Sequence, residues 1–295
     1  MRRTKNAEPR SKSSTRPSSS GRNERQGHSQ GLLRQRPEAE WARLERSPWE
    51  FEINCVYLDG YIRPGARELD LGGGPGRYSI HLAKHGANVT LVDLSDGNVA
   101  LAREKAAAAG VEIEARQGDA LDAATLPEGP FDHVLCMGPL YHLLEREERL
   151  RAIENCLARL KKRGKLYAAF ISIYSDMIYR IGRLDSWPEG ILSIGGTEAE
   201  RKYYAALRSG GEYAGDAFTR AYFTNPEQIL RHFEGFPLRK LHLLGSEGLF
   251  AARQGWFTLS EEQRSAWMQL SLDVCELPEL LSWSEHLLYI GEKLG

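Results

Sequence analysis

Residues 68–77 read Glu-Leu-Asp-Leu-Gly-Gly-Gly-Pro-Gly-Arg. An apolar β-type run stops at four glycines, and a helix-like segment to His85 follows. A strand, a glycine turn and a helix in that order restrict the chain to few architectures. The turn lets the backbone approach a ligand closely, and the helix N-terminus favours negative charge there. A dinucleotide fingerprint would need a third glycine where Arg77 stands, and a phosphate loop would end Gly-Lys-Ser/Thr. Neither pattern fits.

The same alternation continues downstream. Ala66–Leu71, Asn88–Leu94, Val111–Gln117, Phe131–Met137 and Lys165–Ile171 read as strands. Helices are expected over Arg77–His85, Asp96–Ala109 and Glu147–Lys162. Alternating short strands and helices imply βαβ units, a parallel sheet and ligand binding at the strands' carboxyl ends. Upstream, residues 38–62 read as helical, divided by Pro48. Downstream, Asn225-Pro226 opens a helix through Phe233. Pro237–Leu244 reads as a sixth strand, and Ser260-x-x-Gln263 is a capping box for a helix to about Leu277. Glu285–Gly291 reads as the last strand. Between the fifth strand and Asn225, residues 172–222 carry Tyr174, Tyr179, Trp187, Tyr203, Tyr204, Tyr213, Phe218 and Tyr222. So long an insert suggests a lid or binding element.

Charge separates the chain into unlike parts. The 295 residues carry a net −1. Residues 1–30 hold eight Lys/Arg against Glu8 and Glu24, a net +6, which leaves −7 on the rest. This Ser-rich segment has almost no apolar side chains and is expected to be a disordered basic tail. Residues 31–295 are expected to form the folded domain. The tail lacks the apolar core of a secretory signal and the amphipathicity of a transit peptide. No run reaches the length of a membrane span. The four cysteines are scattered with no Cys-x-x-Cys, which suits a reducing, cytoplasmic setting. Histidine spacing gives no metal site, so no metal is expected.

Two carboxylates accompany the glycine loop. Asp93 ends the second strand, where it can accept both hydroxyls of a ribose, and Asp119 follows the third in Gly118-Asp119-Ala120. Each has an ordinary reading as a turn or capping residue. Together, the segments Glu68–Gly76, Val92–Ser95 and Gly118–Ala120 resemble the first three nucleotide-binding motifs of class I S-adenosylmethionine-dependent methyltransferases. The resemblance spans about Ala66 to Ser172. It implies a doubly wound, mostly parallel seven-stranded Rossmann-like sheet with the last strand antiparallel beside the sixth. It also implies S-adenosylmethionine as cofactor and S-adenosylhomocysteine as product. By position, Asp70 would orient the loop and the methionine end. Gly72, Gly73, Gly74 and Gly76 would wall the amino acid and ribose. Asp93 would hold the ribose, Leu94 would lie against the adenine, and Asp119 with the Ala120 amide would read the adenine edge.

The loop after the fourth strand, Gly138-Pro139-Leu140-Tyr141-His142, is expected beside the methyl group. Amino methyltransferases of nucleobases resemble one another in Asn/Asp-Pro-Pro-Tyr/Phe at this place. Gly138 lacks the carbonyl side chain, and Leu140 replaces the second proline. Cys136 sits within the strand and reads as core rather than as a nucleophile. A nucleobase target is therefore disfavoured, and the acidic body argues against RNA. His142 is the candidate general base, Tyr141 the candidate positioning residue, and a small molecule methylated at O, N or, less favoured, C the expected acceptor. Two alternatives stand beside this reading: an RNA or protein methyltransferase recruited through the basic tail, and a non-catalytic cofactor-binding module.

Overall fold

A computed structural model describes residues 37–38, 41–42, 48–253 and 259–295. The basic tail and much of the segment before Pro48 lie outside the described residues. Helix α1 spans Pro48–Tyr61 and opens on the proline expected to divide the N-terminal helices.

Five strands run parallel: β1 Arg67–Leu71, β2 Asn88–Asp93, β3 Glu114–Gln117, β4 Phe131–Cys136 and β5 Leu160–Ser172. Helices α2 Arg77–Lys84, α3 Asp96–Ala108, α4 Pro139–His142 and α5 Arg146–Arg159 connect them. The final strand, β9 (His286–Lys293), runs antiparallel between β5 and β8 (Leu238–Gly245). The sheet order is therefore β3-β2-β1-β4-β5-β9-β8, the doubly wound, mostly parallel arrangement expected from the sequence. Helix α8 (Pro226–Phe233) is capped by Asn225, whose side chain accepts from Gln228 N. Helix α9 (Glu261–Val274) opens on the capping box of Ser260 and Gln263.

The strand pleat sends alternate residues to opposite faces. On β5, Leu166, Ala168 and Phe170 enter one core, and Tyr167 and Ala169 enter the other. On β9, Leu287 and Tyr289 alternate in the same way with Leu288 and Ile290. The first core is closed by Ile153 and Cys156 of α5 and Phe233 of α8. The second is closed by Ile53 and Leu58 of α1 and Leu82 of α2. Cys136 lies in the first core and, like the other three cysteines, is buried and free.

Two departures from expectation matter. Helix α5 stops at Arg159, and β5 begins at once at Leu160 instead of Lys165. Leu160 pairs with Phe131, and Lys161 Nζ meets Asp132 Oδ1 at 2.7 Å, which extends the strand backward. The insert, read from sequence as an aromatic lid or binding element, contains both helices and strands. It holds α6 (Ser175–Ile181), a 3₁₀ turn (Pro188–Ser193), α7 (Glu198–Arg208) and the hairpin of β6 (Tyr213–Asp216) and β7 (Arg220–Thr224). The register of β4 on β5 ends at Cys136 and Ala168, whereas β7 pairs with Ile171 and Ser172. Because β9 also pairs with Ile171, β7 must lie on the β4 edge of β5, in the strip beyond the end of β4. The aromatic residues build a core of their own. Tyr203 packs edge-on against Tyr204, Tyr213 and Phe223, and its hydroxyl donates to Ile173 O at 2.6 Å. Helix α10 (Pro278–Leu281) precedes β9.

Candidate active site

The glycine loop links β1 to α2 at the carboxyl end of the sheet. Gly76 caps α2 with φ 85° and ψ 25°, a left-handed conformation that a side chain disfavours. Gly72 also has positive φ, and a Cβ there would lie 2.4 Å from Pro139 Cγ. The loop is thus pressed against the segment that follows β4. Asp70 lies beneath it, buried, and accepts from Ser79 Oγ at 2.6 Å. A Cβ on Gly73 would fall 2.6 Å from Asp70 Oδ2. Burial raises the Asp70 pKa to about 6 despite the Ser79 hydrogen bond. The carboxylate expected to orient the loop does lie directly under it.

Asp93 is buried at the end of β2 and takes three donors. Oδ2 accepts from Gly74 N at 2.8 Å, and Oδ1 accepts from Ser95 N at 2.9 Å and Asn98 Nδ2 at 3.1 Å. Burial raises its pKa, and these three hydrogen bonds oppose the shift. One side chain therefore fastens the glycine loop, the β2 end and the first turn of α3. The neighbouring backbone continues the line: Asp93 O accepts from Gly118 N at 3.0 Å. Half-buried Leu94 accepts from Gln117 Nε2 through its carbonyl at 3.0 Å. Asp119 Oδ1 accepts from Leu121 N at 2.9 Å, which shapes the turn after β3, and Ala120 O accepts from Asn155 Nδ2 at 2.8 Å. The three segments singled out from sequence are joined by direct hydrogen bonds across three strand ends.

The fourth segment packs against the glycine loop. A Cβ on Gly138 would lie 2.8 Å from Gly72 O. This is a physical reason for glycine where nucleobase enzymes carry Asn or Asp: the neighbouring loop occupies the space. Tyr141 is half-buried and packs against both the main core and the insert core. His142 is exposed, with its ring centroid 4.7 Å from that of Tyr141.

Several participants carried no clear sequence signal. Ser79, three residues beyond Gly76, could have been suspected from its place on the first turn of α2. Asn98 looks like any helix residue until Asp93 is seen beside it. Glu247 and His286 are 39 residues apart, yet Glu247 Oε1 meets His286 Nδ1 at 2.6 Å at the β8–β9 end. Burial acts to raise the Glu247 pKa, but Coulomb attraction from His286 and hydrogen bonds from the His286 side chain and backbone and from Ser284 outweigh it and hold the pKa down. The structure also brings His81 and His85 together with Asp59.

Comparison with known proteins agrees with this geometry. Residues 69–164 match a family model described as a methyltransferase domain. A ubiquinone biosynthesis O-methyltransferase from Xanthomonas axonopodis pv. citri is 36% identical over 121 residues, covering 41% of this chain and 49% of the relative. Its counterpart from Xanthomonas euvesicatoria pv. vesicatoria is 37% identical over 108 residues, covering 37% and 44%. The chain thus spans about half the length of the curated relatives it matches. Among solved structures, N-methyltransferase NodS from Bradyrhizobium japonicum in complex with S-adenosyl-L-homocysteine superposes with a TM-score of 0.53. The two are 15% identical, and the match covers 90% of this chain and 97% of NodS. The [4+2]-cyclase SpnF gives a TM-score of 0.52 at 18% identity, covering 83% and 82%. These structural likenesses show a shared fold. With the matched domain, the sheet order and the strand-end motifs all in agreement, residues 69–164 form a methyltransferase domain of the class I S-adenosylmethionine-dependent kind.

Proposed function

We propose that the protein transfers the methyl group of S-adenosylmethionine to an oxygen or nitrogen of a small-molecule acceptor. The reading rests above all on the bracing of the glycine loop by Asp93. That bond presets a backbone cradle at the carboxyl end of β1. A Cβ built on Gly74 meets nothing within 4 Å, so backbone at the loop centre faces open space, as a cradle for a ligand requires. In this reading Asp70 and the glycines hold the methionine end, Asp93 the ribose, and Leu94, Asp119 and Ala120 the adenine. The bound cofactor supplies an activated sulfonium methyl. The chain's own residues supply position and exclude water, which can carry most of the rate of such a displacement. Tyr141 orients the acceptor from the seam between core and insert. His142 takes the proton when the attacking atom carries one.

Acceptor chemistry follows from the insert. Met177, Ile181, Leu184, Ile191, Leu192 and Phe218 all leave large apolar area exposed there. This supports a lid role for the insert and an apolar or planar acceptor. The names of the Xanthomonas relatives favour oxygen, and that of NodS favours nitrogen.

Two measurements test the reading. Calorimetry with S-adenosylhomocysteine should show binding that Asp93→Ala largely abolishes. Incubation with methyl-labelled cofactor and cell extract, followed by size fractionation, should place the label in the small-molecule fraction. Label in RNA or protein would overturn the acceptor assignment, and absence of binding would overturn the whole proposal.

A further inference from the structure

Two groups of side chains among the described residues bring three ligand-type atoms within 4.8 Å of one another. One is Glu50, Glu247 and His286. Its central carboxylate is already committed. Glu247 Oε2 accepts from Ser284 Oγ and from Glu285 N and His286 N, both at 3.0 Å, and Oε1 meets His286 Nδ1. An ion there would have to displace an internal network.

The second group differs. Asp59 stands on the last turn of α1, with His81 and His85 one helical turn apart at the end of α2. Side chains four residues apart share a helix face, and the two imidazole centroids are 4.4 Å apart. His81 Nε2 lies 2.9 and 3.1 Å from the two Asp59 oxygens. His85 Nδ1 lies 2.8 Å from His81 O. A carbonyl oxygen only accepts, so Nδ1 carries the proton and the neutral ring presents its lone pair at Nε2. A backbone carbonyl fixing the tautomer in this way is the usual support of a metal-ligating histidine.

The geometry points to Asp59, His81 and His85 as a binding site for a divalent transition-metal ion of the zinc class. Two imidazoles and a carboxylate suit that chemistry and leave a fourth tetrahedral position to water. The ion takes the place between His81 Nε2 and Asp59, and the ring proton of His81 moves from Nε2 to Nδ1. The role is structural. The ion ties α1 to α2, the helix that follows the glycine loop, and reinforces the contact in which the Arg77 guanidinium covers the Phe51 ring at 4.2 Å.

The test uses the full chain, stripped of metal by a chelator and titrated with zinc chloride. One equivalent should bind, measured by calorimetry. Cobalt(II) should give visible bands of a tetrahedral site. His85→Ala should weaken zinc binding by about tenfold or more and remove the cobalt bands. The melting temperature of the metal-free protein should not change, because His85 is exposed. His85→Gln, which keeps a polar side chain of similar reach, should behave in the same way. Zinc affinity unchanged in either variant, or cobalt binding without the bands of a tetrahedral site, would overturn the assignment.

Discussion

The backbone N–H of Gly74 donates to Asp93 Oδ2 at 2.8 Å across 19 residues of chain. This bond makes the shape of the glycine loop depend on a side chain at the neighbouring strand end. Asp93→Ala releases three donors at once. Hydrogen bonds to charged groups contribute about 1.5–3 kcal/mol each, so the variant should lose stability and at least about tenfold in S-adenosylhomocysteine affinity. Asp93→Asn turns one acceptor atom into a donor that faces backbone N–H groups, and should recover little. Calorimetry and thermal unfolding on both variants check this.

Gly138→Asn would restore the residue found in nucleobase amino methyltransferases. The expected result is loss, with no gain of such activity. The new Cβ would lie 2.8 Å from Gly72 O, and overpacking of this kind costs about 1–3 kcal/mol. Cofactor affinity should fall with stability, since the displaced atom belongs to the loop. Gly138→Ala should show most of the same penalty.

Glu68 gives a pH-dependent prediction. Its side chain is fully buried, and among the described residues neither carboxyl oxygen has a hydrogen-bond partner. Burial, with Asp132 and Asp70 nearby, raises its pKa from 4.5 to about 8. A carboxyl that holds its proton more tightly in the fold than in the unfolded chain destabilises the fold as it ionises. The stability it contributes is present at pH 4.5 and is lost as the pH rises through 8. Glu68→Leu should therefore stabilise the protein at pH 8.5 by about 2 kcal/mol and much less at pH 5. Denaturant titrations at the two pH values would show it. An equal effect at both would mean that Glu68 does not titrate in this window.

Tyr203 is the centre of the insert core. Tyr203→Phe leaves Ile173 O without its 2.6 Å donor and should cost about 1 kcal/mol. Tyr203→Ala removes a buried ring that contacts three other aromatics, and should cost about 3–5 kcal/mol. Limited proteolysis should then cut first within residues 175–208.

The sequence was most legible where local chemistry and long-range packing agree. Asn225-Pro226 and Ser260-x-x-Gln263 start helices through groups three residues apart, so the caps were readable directly. The strand ends bearing Asp70, Asp93 and Asp119 were readable because strand, turn and helix signals coincide there. What escaped notice depends on separation in the chain. The β6–β7 hairpin has the aromatic composition of its neighbours, and only the free edge of β5 beyond Cys136 makes it a strand pair. Asp59 and His81 are 22 residues apart, and their meeting depends on how α1 packs on α2. Gly138 reads from sequence only as a missing functional group, and the Gly72 carbonyl packed against it depends on the fold.

The seating of β7 on β5 bears on how the insert can change over evolution. Its downstream end shares backbone hydrogen bonds with the sheet, including Ile173 N to Thr224 O at 2.7 Å. A change in length there would shift the register of the strand that carries Tyr222 and Phe223 into the core. The segment between Ile181 and Glu198 has no such ladder. It can lengthen, shorten or change its apolar side chains while the glycine loop stays in place. Variation in acceptor choice among related chains is therefore expected to concentrate in that segment, upstream of a hairpin that keeps its length.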